Sequence, residues 1–309
     1  MASVAQEPAS REPGGPEGPA QERRALPGWR AVGTRLLALR EGSIIVIAIV
    51  TAIYFSVNTS NFFTGENLET LLPYFAPFAI LAAGEVFVMI LGEIDLSIAG
   101  LYLFAPILFY KLNTSVGLSL IISKGTPVAT PGGQPPLGTF GKVFGGGTYS
   151  ELIWAVAIVV ILQIVLMFSR WGVYTVAIGS NKLGASEAGV RVNLVMIRNY
   201  MLCSLTAGLV GVFEAVRSAT VQPNPAGPNE ILFLAVVAAV IGGTLLTGGS
   251  GTVVGALIGA LFLGILKDGL ILQGVQATYL LFYTGLAVIV AMTANVFVGR
   301  VRRGQTGGG

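Results

Sequence analysis

Three stretches of the chain, Leu152–Phe168, Ile231–Leu246 and Tyr279–Val298, run for 16 to 20 residues without a single charge. A helix needs roughly 20 mostly apolar residues to cross a lipid bilayer, with some slack for tilt. The composition points the same way. Of the 309 residues 53% are hydrophobic and 11% are charged, whereas a soluble domain is about a quarter charged. The expected fold class is therefore all-α: a polytopic bundle embedded in a membrane. The net charge of +3 does not indicate nucleic-acid binding, because the basic residues collect where the apolar runs end. There is no histidine, and the one cysteine, Cys203, lies inside an apolar run. A disulfide framework within the chain is thereby excluded, and so are the usual zinc and copper ligand sets.

Eight spans can be read in order: Ser43–Val57, Leu68–Leu91, about Ile98–Ile122, Leu152–Phe168, about Tyr200–Val216, Ile231–Leu246, Thr252–Leu272 and Tyr279–Val298. The third carries Lys111 and Asn113 near its middle. Lys124–Ser150 and Ser218–Glu230 read as loops, and Gly248-Gly249-Ser250-Gly251 as a tight turn. Residues 1–42 form a tail whose first part, Met1–Pro27, is rich in Pro, Gly, Ala, Glu and Arg, a composition that favours disorder. No secretory signal is expected there, since the first apolar run begins only at Ser43. The membrane domain covers 43–300, and 301–309 is a short basic, Gly-rich tail.

Lys and Arg set the orientation. The N-terminal tail holds six Arg, and Arg170–Asn199, which reads as a polar cytoplasmic loop, holds Arg170, Lys182, Arg191 and Arg198 against the single acid Glu187. The C-terminal end holds three Arg, so these segments carry 13 of the 18 basic residues. Eight spans put all three on one side, which the positive-inside rule assigns to the cytoplasm. Asn58–Asn67, Ser218–Glu230 and Gly274–Thr278 have no Lys or Arg and fall outside. So does Lys124–Ser150, despite Lys124 and Lys142.

Gly251, Gly255 and Gly259 are four apart, with Ala260 and Gly264 extending the stripe. Small residues at this spacing let helix backbones approach closely in lipid. The stripe implies tight packing within the chain or, alternatively, a contact between subunits. Ionisable residues at membrane depth cost roughly 2.5–3.5 kcal/mol each on insertion scales. Glu85, Glu214, Arg217, Lys267 and Asp268 stand in the expected spans. Either they line a polar translocation path, or they pair and snorkel near the interfaces. Glu214 and Arg217, three apart, share a helical face and can pair. Lys267 and Asp268 are adjacent rather than stacked. Glu93 and Asp95, with Ser97, suit the start of a helix.

No catalytic constellation, metal cluster or nucleotide-binding loop is visible: Gly145-Gly146-Gly147 lacks the Lys-Ser/Thr that a phosphate loop needs. The chain is not expected to be an enzyme or to bind a cofactor. Buried proton-relay groups of the kind secondary carriers use are sparse. A large basic cytoplasmic segment fits an energising partner better.

Several stretches together resemble the permease subunit of bacterial ABC importers for simple sugars, of the ribose/xylose/galactose type. They are Asn61-Phe62-Phe63-Thr64, Gly92-Glu93-Ile94-Asp95-Leu96-Ser97, Gly172-Val173-Tyr174 with Ala177-Ile178-Gly179-Ser180-Asn181, Ala188-Gly189-Val190, and Ala239–Thr244 continuing through Gly248–Gly255. The resemblance covers about residues 43–300. It implies a multi-pass protein of the bacterial cytoplasmic membrane that carries a monosaccharide. It also implies a partner ATP-binding subunit that uses ATP-Mg, a second permease copy (identical or not), and a periplasmic or lipoprotein sugar-binding protein. Branched-chain amino acids or another small solute remain alternative cargo, and a self-contained carrier an alternative mechanism. By position, the short coupling helix that docks the ATPase falls in Gly179–Asn193. Its docking residues would be Asn181, Lys182, Leu183, Ala185, Glu187, Ala188, Gly189, Val190 and Arg191. Against the family pattern of about ten spans, the chain is short by one helical hairpin between Leu96 and Thr126. Losing two crossings leaves the parity intact.

Overall fold

A computed structural model of the chain describes residues 41–114, 128–129, 142–218, 220–221 and 226–306. The described residues form helices α1 (Gly42–Asn58), α2 (Gly65–Ile90), α3 (Ser97–Thr114), α4 (Ser150–Phe168), α5 (Arg170–Ser180), α6 (Lys182–Glu187), α7 (Val192–Ser218), α8 (Ala226–Ile241), α9 (Val253–Leu272) and α10 (Ala277–Thr306). A two-residue antiparallel ladder pairs β1 (Val128–Ala129) with β2 (Thr220–Val221), Val128 facing Val221. The expected disorder of Met1–Pro27 and the second half of the third span lie outside the described residues.

Eight of these helices stand where the eight spans are expected. By length and hydropathy α2, α4, α7 and α9 each suffice to cross a membrane, and α1, α3, α8 and α10 contribute shorter apolar stretches. The chain is a multi-pass membrane protein. α2 is the central helix and touches α4, α7, α8 and α9. Every residue from Phe75 to Ile90 is buried, as an apolar helix enclosed by others must be. α4 shows the opposite arrangement. Ala155, Val159, Leu162 and Leu166 form one buried stripe, while Ile153, Val156, Val160, Ile161, Ile164 and Met167 are exposed. Such a bare apolar surface on a helix is stable against acyl chains rather than water.

The glycine stripe is used inside the chain. A Cβ on Gly255 would overlap the carbonyl of Gly242, and one on Gly259 that of Ala238, so α8 and α9 meet backbone to backbone. Gly211 does the same against the Tyr102 carbonyl on α3. Helix starts follow the side-chain oxygens available. Thr64, Ser169, Asn181 and Thr252 cap α2, α5, α6 and α9 by accepting from Asn67, Gly172, Gly184 and Gly255 amides, the usual work of such residues. The amino end of α9 has a further partner. Gln163, a lone amide in α4, accepts from Val253 N at 2.8 Å and Val254 N at 3.1 Å. These are amides that the helix itself cannot satisfy.

Several boundaries differ from expectation. The basic segment Arg170–Asn199 is not a loop: it is α5, α6 and the first turns of α7. The sixth span ends at Ile241 rather than Leu246. Gly243 there takes φ +96°, and the Thr244 amide reaches back to the Ala239 carbonyl, a closing motif that glycine permits. Residues 301–306 continue α10 rather than forming a tail. Lys124–Ser150 contains β1 and a kinked helical turn at Lys142–Gly146.

Candidate functional site

At one end of the bundle, three segments meet that lie about 70 and 90 residues apart in the chain. The Gly249 amide donates to the Ile90 carbonyl at 2.7 Å. Gly179 sits so close to both that a Cβ would overlap the Ile90 oxygen and press on the Gly249 nitrogen. Lys182 and Glu93 approach to 3.8 Å, and Tyr200 donates to Glu93 at 2.5 Å. The turn after α2, the α5–α6 joint and the glycine turn before α9 therefore lie on one face, the one the charge pattern assigns to the cytoplasm. Glu93 does not start a helix as expected. It is shared by Lys182 of α6 and Tyr200 of α7. Asp95 does occupy such a place, accepting from Ser97 N at 2.9 Å and Ser97 Oγ at 2.6 Å.

α6 is held by what is buried beneath it. Ala185 packs with Ile178 and Val195, and Val190 lies against that cluster. Gly189, at φ +84°, ends the helix, with Val190 N bonded to the Ala185 carbonyl at 3.0 Å. Of the expected docking residues, Asn181, Lys182, Leu183, Glu187, Ala188, Gly189 and Arg191 are exposed. Ala185 and Val190 face the bundle and position the rest. Leu183, 70% exposed, is an apolar side chain presented among charges. Behind α6, Asn199 ties three helices. It accepts from Trp171 Nε1 at 2.6 Å and donates to the Phe87 carbonyl at 2.9 Å. The Trp171 ring lies 5.5 Å from that of Phe87.

Three of the five expected path residues converge toward the other end. Glu214, Arg217 and Lys267, with Tyr74, Tyr102 and Glu230, line a cavity of about 220 Å3 among α2, α3, α7, α8 and α9. Pro77 and Phe78, midway along α2, also line it. Lys267 reaches Glu230 at 3.2 Å and lies 5.2 Å from the centre of the Tyr74 ring. Arg217 hydrogen-bonds Glu214, its neighbour one turn back, and also stands 3.6 Å from Glu151. Glu151 is 1% exposed, and among the described residues neither of its carboxylate oxygens has a hydrogen-bond partner.

The other two candidates point elsewhere. Glu85 is fully buried between α2 and α7, accepting from Asp95 N at 3.0 Å and from Cys203 Sγ at 3.0 Å. Asp268 accepts from Asn67 Nδ2 at 2.7 Å, on a different face from its neighbour Lys267. Sequence reasoning missed Tyr74, Tyr102, Glu151 and Glu230. Glu151 and Glu230 each stand beside an apolar run and carried that much signal, whereas nothing marked the tyrosines.

The chain is similar in sequence to known transport permeases. The family model for the permease component of branched-chain amino acid transport systems matches residues 123–292. The xylose/arabinose import permease protein XylH of Sulfolobus acidocaldarius is 30% identical over 307 residues, covering 84% of this chain and 86% of the relative. The ribose import permease protein RbsC of Escherichia coli K12 is 30% identical over 310 residues, covering 85% and 95%. That of Bacillus subtilis is 35% identical over 176 residues, covering 57% and 54%. No solved structure matches the chain significantly. The Escherichia coli alignment is longer than the part of this chain that enters it.

Proposed function

We propose that this chain, which belongs to the branched-chain amino acid transport permease-component family, is the membrane subunit of an ATP-driven importer and carries a monosaccharide of the xylose, ribose or galactose kind. The observation that supports this most directly is α6, a six-residue helix that offers Leu183 and Glu187 at the basic end, with Arg191 in the turn after it, while Ala185 anchors it to the bundle. A short, rigidly seated, exposed element is what a soluble motor needs in order to push on a membrane domain. The sugar cargo rests on relatives named as xylose/arabinose and ribose import permeases. The partners follow from the same reading: an ATP-binding subunit holding ATP-Mg, a second permease copy, and a sugar-binding protein on the outer side. The chain itself supplies no catalytic group or cofactor site in this scheme.

The nine residues Asn181–Arg191 named above serve the docking, seven by contact and Ala185 and Val190 by placement. Glu93 connects the docking helix to α7 through Lys182 and Tyr200. The path uses the cavity at Glu214, Arg217 and Lys267, with Glu85 and Asp268 holding helices beside it.

The test is reconstitution in liposomes with candidate ATP-binding and sugar-binding proteins from the same organism. Radiolabelled D-xylose or D-ribose should accumulate only with ATP and all components present. Sugar uptake by this chain alone would overturn the motor-driven reading, and ATP-driven uptake of L-leucine instead would overturn the cargo.

A further inference from the structure

We propose that the cavity lined by Tyr74, Tyr102, Glu214, Arg217, Glu230 and Lys267 is a binding site for a neutral monosaccharide, which enters by opening the Lys267–Glu230 and Arg217–Glu214 pairs while Glu151 retains Arg217. The inference rests on the sugar reading above and adds where the sugar pauses and what recognises it. At about 220 Å3 the space is smaller than the roughly 300–1,000 Å3 of drug-sized ligand pockets, and it suits a single ring. Carboxylates accept strong, charge-assisted hydrogen bonds from hydroxyls, and tyrosine offers an apolar face with a polar tip. A sugar ring presents the matching surfaces, hydroxyl edges and C–H faces.

The charges in the cavity are balanced, two carboxylates against two cations. These side chains are partly exposed, and a neutral ligand can exchange with them without leaving the site with an unbalanced charge. Glu151 makes the exchange cheap on one side. It is buried, lies 3.6 Å from Arg217 Nε and has no hydrogen-bond donor among the described residues. When hydroxyls occupy Glu214, the guanidinium keeps a carboxylate partner by moving onto Glu151. On the other side Lys267 keeps Tyr74, over whose ring it already sits. Glu151 is thus a positioning residue, and Glu214 and Glu230 are the ligand acceptors.

The experiment uses cells carrying the complete importer and no other pentose uptake system, with D-xylose, D-ribose and L-leucine as labelled probes. Glu214→Gln and Glu230→Gln should each raise the sugar KM about tenfold or more, the effect of weakening one charge-assisted hydrogen bond, with maximal rate little changed. Glu151→Gln should raise KM less, and Glu151→Asp should restore it. Glu66→Gln, exposed at the start of α2, should leave both parameters as in the wild type. Glu230→Cys keeps the question open to measurement even where transport is lost. The native thiol at Cys203 is buried, so labelling by a membrane-impermeant thiol reagent reads position 230, and D-xylose or D-ribose should slow it. Sugar uptake with unchanged KM in both Gln variants, or labelling indifferent to sugar, overturns the site and leaves the importer reading standing. L-leucine uptake without pentose uptake in the wild type overturns both.

Discussion

At the residue scale, the joints between segments are single atoms in close contact. Gly179 is the tightest, with the Ile90 carbonyl and the Gly249 amide occupying the space a side chain would need. Both neighbours are backbone and cannot swing away. Gly179→Ala should therefore separate α5 from the glycine turn and reduce ATP-coupled uptake more than tenfold. The size follows from the sensitivity of coupled sites to ångström displacements, and the transport rate of the reconstituted importer is the measure. Asn199 is the second such residue. Asn199→Leu strands Trp171 Nε1, a donor in a buried network, and should cost about 1–3 kcal/mol of stability. The expected sign is a lower Tm for thermal unfolding in detergent, and an unchanged Tm would argue that the network carries no weight.

At the element scale, the long helices were legible because hydropathy over 16 to 20 residues is a strong signal, and seven of the eight expected spans begin or end within a few residues of a helix. The basic segment was misjudged as a loop for a physical reason. RWGVYTVAIGS is poor in strong helix formers, and a weak local preference is easily outvoted by packing. Trp171 against Phe87, Gly172 against the Leu166 backbone and Gly179 against Ile90 supply that packing. The cavity was half legible. Spacing three apart revealed Glu214 with Arg217, but Lys267 with Glu230 and Arg217 with Glu151 join residues 37 and 66 positions apart, and only the folded bundle brings them together. The element-scale prediction concerns α6. Glu187 and Arg191 are exposed and make no ion pair among the described residues. Reversing both, Glu187→Lys with Arg191→Glu, should change the unfolding free energy by less than about 0.5 kcal/mol, read as a near-unchanged Tm. Co-purification of the ATP-binding subunit should be lost. Retained ATP-dependent transport in that variant would sink the docking assignment.

At the scale of the whole molecule, topology and contacts test each other. The charge bias puts Arg170–Asn199 in the cytoplasm and Asn58–Asn67 outside, and a missing hairpin is invisible to it, because two crossings restore the side. The contacts constrain relative sides by a separate route. Segments following α2, α4 and α8 meet at one end through Gly249, Ile90 and Gly179. Asn67 with Asp268, Lys267 with Glu230 and the β1–β2 ladder gather the segments expected outside. Every one of these joins loops of like parity in an eight-span chain. A single cysteine at Glu187 or at Asn61, both exposed, separates the possibilities, since buried Cys203 adds no background to an impermeant reagent. In intact cells position 61 should label at once, and position 187 only after the membrane is made permeable. The reverse pattern would invert the whole bundle. Labelling of both positions in intact cells would mean an even number of crossings between them rather than the expected three, and would overturn the eight-span topology.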